Sequence, residues 1–177
     1  VGAAACVLLA VVPAVVAPAL RTVLDVLPAA QAVAFTDFGT VTTAPKTGPA
    51  LTRTMLPEMA AGKPDVIVFE LGDGILGAYG VEAILKEEDI RNSLTAVILS
   101  ANDPVAAWGG VKLLRERFQI EPCAVTGPAT DNAVGVRIIE EQMGVRAVNA
   151  MAAGAALGDH IIESLGLNAQ LARAASE

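Results

Sequence analysis

Three short apolar runs constrain this chain more than any other feature: DVIVFEL at 65–71, TAVILS at 95–100 and PCAVT at 122–126. None alternates apolar with polar residues, so none reads as a strand with one face in water. Each is bounded by proline, glycine or acid, and each is followed by apolar residues at helical spacing. Strand, turn and helix recur about every 27 residues. A strand that returns to its sheet through a helix runs parallel to its predecessor, and parallel sheets are covered on both faces. We expect an α/β fold: a mostly parallel sheet flanked by helices on both faces, in three layers.

The 177 residues suffice for one full core, and no linker-like composition divides them. We read residues 1–168 as a single α/β domain and 169–177 as a frayed tail. Apolar residues make up 54% and aromatics only 3%, so Ala, Val, Leu and Ile must build the core. A net charge of −7 without any Lys/Arg cluster excludes nucleic acid as the main partner. Cys6 and Cys123 are isolated, with no CxxC pair and no nearby histidine, and read as core thiols in a reducing cytoplasm.

Val1–Leu20 carries no charge and is long enough to span a bilayer. Pro13 and Pro18 interrupt it, and the basic start of a signal peptide is missing. We favour a buried strand over Ala3–Val12, a proline-marked turn and a soluble, cytoplasmic protein without a membrane partner. The chain does not begin with Met, and we take it as a fragment or a processed product. A helix is expected near Ala19–Leu27, a strand at Ala32–Phe35, a Thr-, Gly- and Pro-rich loop over Thr36–Pro49, and a helix over Ala50–Ala61.

Downstream, Val81, Ile84 and Leu85 share one helical face, opposite Lys86, Glu87 and Glu88. Asp103-Pro104 opens a helix to Phe118, with Val105, Trp108, Val111 and Leu114 facing the core. Asp131 is placed to cap a helix through Met143 that buries Val134, Ile138 and Ile139. Ala147–Asn149 is a candidate short strand, and a small-residue helix follows to about Leu165.

In open parallel sheets, ligands sit beyond the carboxyl ends of the strands. That rule gathers Thr36 and Asp37; Glu70, Gly72 and Asp73; Ser100, Asn102 and Asp103; and Thr126, Gly127, Thr130 and Asp131. Asp103 and Asp131 have a structural use as helix caps. Glu70 has none. It lies in an unbroken apolar strand, where an unpaired carboxylate costs several kcal/mol, on the order of a stranded ion. Lys46 and Arg53 lie in or beside the Thr-rich loop with no evident partner and are candidate substrate-binding cations. His160 is the only histidine, which excludes a Ser-His-Asp or Cys-His arrangement with any neighbour in sequence. Trp108 and Tyr79 read as packing residues.

Two ligand chemistries fit Glu70-Leu71-Gly72-Asp73-Gly74. The spacing of Gly72, Gly74 and Gly77, after a strand and before a helix, matches a dinucleotide-binding turn in a Rossmann-like fold. NAD or NADP would then be bound, with an oxidoreductase as the activity. Against it, Glu70 and Asp73 set two negative charges beside the pyrophosphate. The alternative uses those charges: carboxylates at a buried strand end hold Mg²⁺, whose preferred ligands are oxygens of one or two carboxylates and of phosphates.

Four stretches carry a resemblance to a known family: VGAA at 1–4, FTDFGTVTT at 35–43, DVIVFELGDGIL at 65–76 and AVILSANDPVAAWGGVKLLRE at 96–116. The chain resembles the P-loop proteins with a dethiobiotin-synthetase-like carboxyl domain, some members of which are linked to D-amino-acid N-acetylation. The resemblance covers about two thirds of the chain, in order. It implies a P-loop-like fold, ATP and Mg²⁺ as cofactors, and a small carboxylate or amino acid as substrate. By it, Glu70 and Asp73 are metal-side acids and Asp37 a substrate- or switch-side group, the three together catalytic. Gly72, Gly74, Gly77, Asn102, Asp103, Thr126 and Gly127 would contact the nucleotide, and Thr36, Lys46, Arg53, Thr130 and Asp131 the substrate.

The family's glycine-rich loop ending in Lys-Ser/Thr is absent. Gly62-Lys63 is followed by Pro64, and no other Gly-Lys pair precedes Ser or Thr. The resemblance therefore implies that this loop lies upstream of Val1 or on a partner chain. A homo-oligomer is a further possibility, and so is a non-catalytic nucleotide-sensing or assembly subunit.

Overall fold

The computed structural model describes residues 5–10, 47–62, 66–71, 74–77 and 80–166. The expected helix at Ala19–Leu27, the strand at Ala32–Phe35, the loop over residues 36–46 and the tail lie outside these residues.

Five strands form one parallel sheet: β1 (Ala5–Ala10), β2 (Val66–Glu70), β3 (Leu94–Ser100), β4 (Ala124–Thr126) and β5 (Arg146–Ala147). Their order is β2-β1-β3-β4-β5. The first strand thus lies inside the sheet, and the order reverses between β1 and β3, which is where doubly wound sheets open a crevice at their carboxyl edge. Six α-helices are described: α1 (Gly48–Ala61), α2 (Val81–Lys86), α3 (Glu88–Ser93), α4 (Pro104–Phe118), α5 (Ala133–Met143) and α6 (Gly154–Ser164).

Side chains alternate across a strand, so the two faces can be read separately. Ile67 and Phe69 of β2, with Leu71 just beyond it, share a face with Val97 and Leu99 of β3 and with Val125. They form one buried cluster with Met55 of α1, Ile84 and Leu85 of α2, Val111 and Leu114 of α4 and Ile139 of α5. The opposite face holds Val68, Ala96, Ile98 and Ala124, which are buried too. There Leu157 and Ile161 of α6 are buried apart from that cluster, and His160 Nε2 donates to the Cys123 carbonyl at 2.9 Å. Helices therefore flank both faces, as the unalternating strands require. Among the described residues no helix is long and apolar enough to cross a membrane.

Local sequence explains most boundaries. Asp103 caps α4 by accepting from the Ala106 amide at 2.8 Å, with Pro104 in the first turn. The stretch after Gly80 forms two short helices instead of one. The chain straightens at Glu87, and Arg91 Nη1 donates to the freed carbonyls of Leu85 and Lys86 at 3.0 and 2.8 Å.

Several expectations are corrected. The buried face of α4 is Ala107, Val111, Leu114 and Phe118, whereas Val105 and Trp108 are 77% and 51% exposed. With Ala107, Val111, Leu114 and Phe118 as the inner stripe, helical geometry puts Val105 on the far side and Trp108 on the flank of the helix, one turn before Val111. The cap of α5 is Asn132, whose Oδ1 accepts from the Val134 and Gly135 amides at 3.1 and 3.0 Å; Asp131 is not the cap. Val134 is consequently exposed in the first turn, while Ile139 is fully buried. The last strand is Arg146–Ala147; the Val148 amide still donates to the Val125 carbonyl of β4 at 3.0 Å, and Asn149 organises the loop that follows.

Candidate functional site

The carboxyl edge of the sheet is built by the segments that follow β2, β3, β4 and β5. The loops after the last three are tied to one another. The Ala101 amide donates to the Thr126 carbonyl at 3.0 Å, and the Ala129 amide to the Ala101 carbonyl at 2.9 Å. Thr126, fully buried, accepts from the Ala150 amide at its Oγ1 at 3.1 Å. Thr130, also buried, donates its hydroxyl to the Gly127 carbonyl at 2.7 Å. Gly127 sits at φ +87°, and a Cβ there would come within 2.6 Å of Ser100 Oγ and 2.8 Å of the Ala101 carbonyl, so only glycine fits. Asn149 Nδ2 donates to Asp131 Oδ1 at 2.8 Å, and Asn149 Oδ1 accepts from the Met151 and Ala152 amides.

These bonds redefine several candidate residues. The hydroxyls of Thr126 and Thr130 and the carboxylate of Asp131 are engaged within the protein. They hold the strand ends together. Asn102 is exposed at this edge, and Asp103 spends a carboxylate oxygen on the α4 cap. Asn149 was not singled out from sequence, although a polar residue just past a buried strand is the available signal.

Arg53 does not lack a partner. Its guanidinium grips Asp89 through Nε and Nη2, both at 2.7 Å, and Glu87 through Nη2 at 2.6 Å, on the exposed surface between α1 and the α2–α3 junction. The hydrogen bonds from Arg53 hold the Asp89 carboxyl below its ordinary range. Thr36, Asp37, Lys46, Gly72 and Asp73 lie outside the described residues.

Glu70 is different. It is the last residue of β2 and aligns in register with Leu9 of β1, which in turn aligns with Ile98 of β3. Alternation puts its side chain on the face of Val68, Ile98 and Ala124, away from the α1–α5 core. The residue is half-buried, and its Oε1 is buried without a hydrogen-bond partner among the described residues. Burial pushes its carboxyl pKa up, and among the described residues no cation opposes the shift. A buried acceptor left unpaired costs about 1–3 kcal/mol, and Glu70 is the one buried side chain left so among the described residues.

The glycines give less. The Gly77 amide donates to the Gly74 carbonyl at 2.8 Å, closing a turn that buries Ile75 and exposes Leu76 and both glycines. The helix starts only at Val81, after Gly80 at φ +101°, and lasts six residues. In a dinucleotide fingerprint the last glycine packs the helix against the strand; Gly77 is exposed and precedes the helix. Among the described residues no three His, Cys, Asp or Glu side chains gather into a metal-binding group. Cys123 is half-buried, and burial pushes its thiol up, which suits a packing role.

No protein-family model matches the chain, and neither a curated protein nor a solved structure matches it.

Proposed function

We propose that this chain is the sheet domain of a nucleotide-dependent enzyme, with Glu70 on the magnesium side of a metal–nucleotide at the carboxyl edge. The observation that carries this reading is the Glu70 Oε1, buried and without a partner among the described residues at the end of β2, which pairs with β1. An unpaired carboxylate in that position calls for a cation, and Arg53 is committed elsewhere.

The residues present fit the cation half of this site. Glu70 and Asp73, three residues apart across the end of β2, are the acids that would hold Mg²⁺, directly or through water. When bound, the ion supplies the positive charge that a phosphate needs beside two carboxylates. No Gly-Lys-Ser/Thr turn occurs in the chain, so a phosphate cradle of that kind is not supplied by these 177 residues. The role of the chain's own groups is then to fix the acid and its surroundings. The bonded loops after β3, β4 and β5 hold the edge rigid next to the crevice, and the apolar face of Val68 and Ile98 excludes water behind Glu70. The substrate class that accompanies this reading is a small carboxylate or amino acid, and the reaction a transfer or ligation.

Thermal-shift measurements with Mg-ATP, ATP plus EDTA, NAD⁺ and NADP⁺ test it. Stabilisation by Mg-ATP that EDTA abolishes is the expected result. Stabilisation by NAD⁺ or NADP⁺ without metal would transfer the glycine turn to an oxidoreductase. No response to any of them would leave an assembly or sensing subunit as the better reading.

A further inference from the structure

The outer face of α4 carries Val105, Trp108, Gly109, Lys112, Leu113 and Glu116, opposite the buried Ala107, Val111, Leu114 and Phe118. Two large apolar side chains stand in water there, Val105 at 77% and Trp108 at 51% exposure. Along the indole runs a groove of about 480 Å³, lined by Trp108, Gly109, Lys112, Leu113, Glu116 and Arg117, the last of which is paired with Glu82. The groove is open at Gly109, where an added Cβ would meet nothing within 4 Å. Lys112 Nζ lies 5.2 Å from the Trp108 ring centroid and 3.5 Å from Glu116 Oε1.

We propose that this face is a two-fold interface to a second copy of the chain. The two α4 helices run antiparallel and cross near Gly109, and each Trp108 lies against Lys112 and the groove of the other copy. The face is self-complementary in shape, because one helix presents both a projecting ring and a groove able to receive it. It is self-complementary in charge as well. Lys112 and Glu116 lie one turn apart, so a partner of a single charge sign would repel one of them, whereas an inverted copy offers each its opposite. A two-fold contact uses the same patch twice, which suits a patch that is both knob and hole. Indole is the best aromatic partner for an ammonium and is enriched at the centres of interfaces. The absent side chain at Gly109 allows the helices a close approach. A single helix pair gives an interface at the small end of specific ones, so dissociation is expected at micromolar concentrations.

Trp108 is the only tryptophan, so its emission reports this face directly. Sedimentation velocity and tryptophan emission of the full chain, followed over a dilution series, test the proposal. The expected result is a species of twice the chain mass that dissociates on dilution, with emission shifting to the red in step. Gly109→Glu fills the groove in space that is open in the single chain and should give a monomer with unchanged far-UV circular dichroism. Trp108→Ala should do the same and shows whether the ring itself holds the pair. A wild-type chain that is monomeric throughout the series would overturn the proposal. So would a dimer that both variants leave intact, or an emission shift that follows added nucleotide and not protein concentration.

Discussion

Arg53 holds Asp89 through two hydrogen bonds of 2.7 Å each, one from Nε and one from Nη2, and this pairing gives one of the two candidate substrate-binding cations a structural use. Both residues are solvated, so the pair mainly joins α1 to α3 and is screened by salt. Arg53→Ala is expected to lower the melting temperature slightly, less so at 1 M salt than at low salt, and to leave ligand binding at the carboxyl edge unchanged. Melting curves at two ionic strengths, together with a Mg-nucleotide titration, check both halves.

Glu70 gives a pH signature. Burial raises its pKa in the folded state, so the native protein keeps its proton to higher pH than the unfolded chain does. The stability linked to that proton is fully present below the ordinary glutamate value of about 4.3 and is lost as pH rises through the raised folded value. Relative to Glu70→Gln, whose amide does not titrate, wild-type stability should therefore fall as pH rises from about 4 towards neutrality. Urea denaturation of both proteins at several pH values measures the difference. A gap that does not change with pH would contradict the burial of an unpaired acid.

Two glycines in helices should respond to alanine with opposite signs. A Cβ at Gly109 meets nothing, so Gly109→Ala should stabilise the single chain by up to about 1 kcal/mol through helix propensity. A Cβ at Gly135 would collide with the backbone carbonyl of Ala129, which cannot swing aside like a side chain. Gly135→Ala should destabilise by about 1–3 kcal/mol despite the same propensity gain, as overpacking does. Chemical denaturation of both variants at high dilution settles the signs.

The loop ties make a fourth prediction. Asn149→Ala removes the amide that donates to Asp131 and the acceptor for the Met151 and Ala152 amides. We expect a loss of about 1–2 kcal/mol, as for other capping side chains. Asp131→Ala removes only the first of these bonds and should cost less. Asp131→Ala with the larger loss would mean that Asp131 has a role beyond this tie.

The parallel sheet was legible because Val66–Glu70 and Leu94–Ser100 lack alternation, which only two covered faces explain. Asp103-Pro104 announced α4 because a cap and a first-turn proline act locally. What failed was choosing between near-equivalent neighbours. Asp131 and Asn132 are both competent caps, and Asn149, 17 residues beyond Asn132, draws Asp131 away. Val105 and Trp108 fit a helical period with Val111 as well as Ala107 does, and only the position of the sheet selects the stripe that is buried. Arg53 was unreadable for the same reason: its partners lie 34 and 36 residues downstream. Glu70 was readable because an acid inside an apolar strand conflicts with its surroundings whatever the tertiary fold.

The most direct measurement of the central claim is a melting curve without ligand and a Mg-ATP titration, run on wild type and Glu70→Gln. Removing a buried charge that has no partner should leave the apo melting temperature level or raise it, while Mg-dependent nucleotide binding weakens by about 1–3 kcal/mol. A sharp fall in apo stability with unchanged binding would show that Glu70 is a structural acid, and the metal site would have to be sought elsewhere.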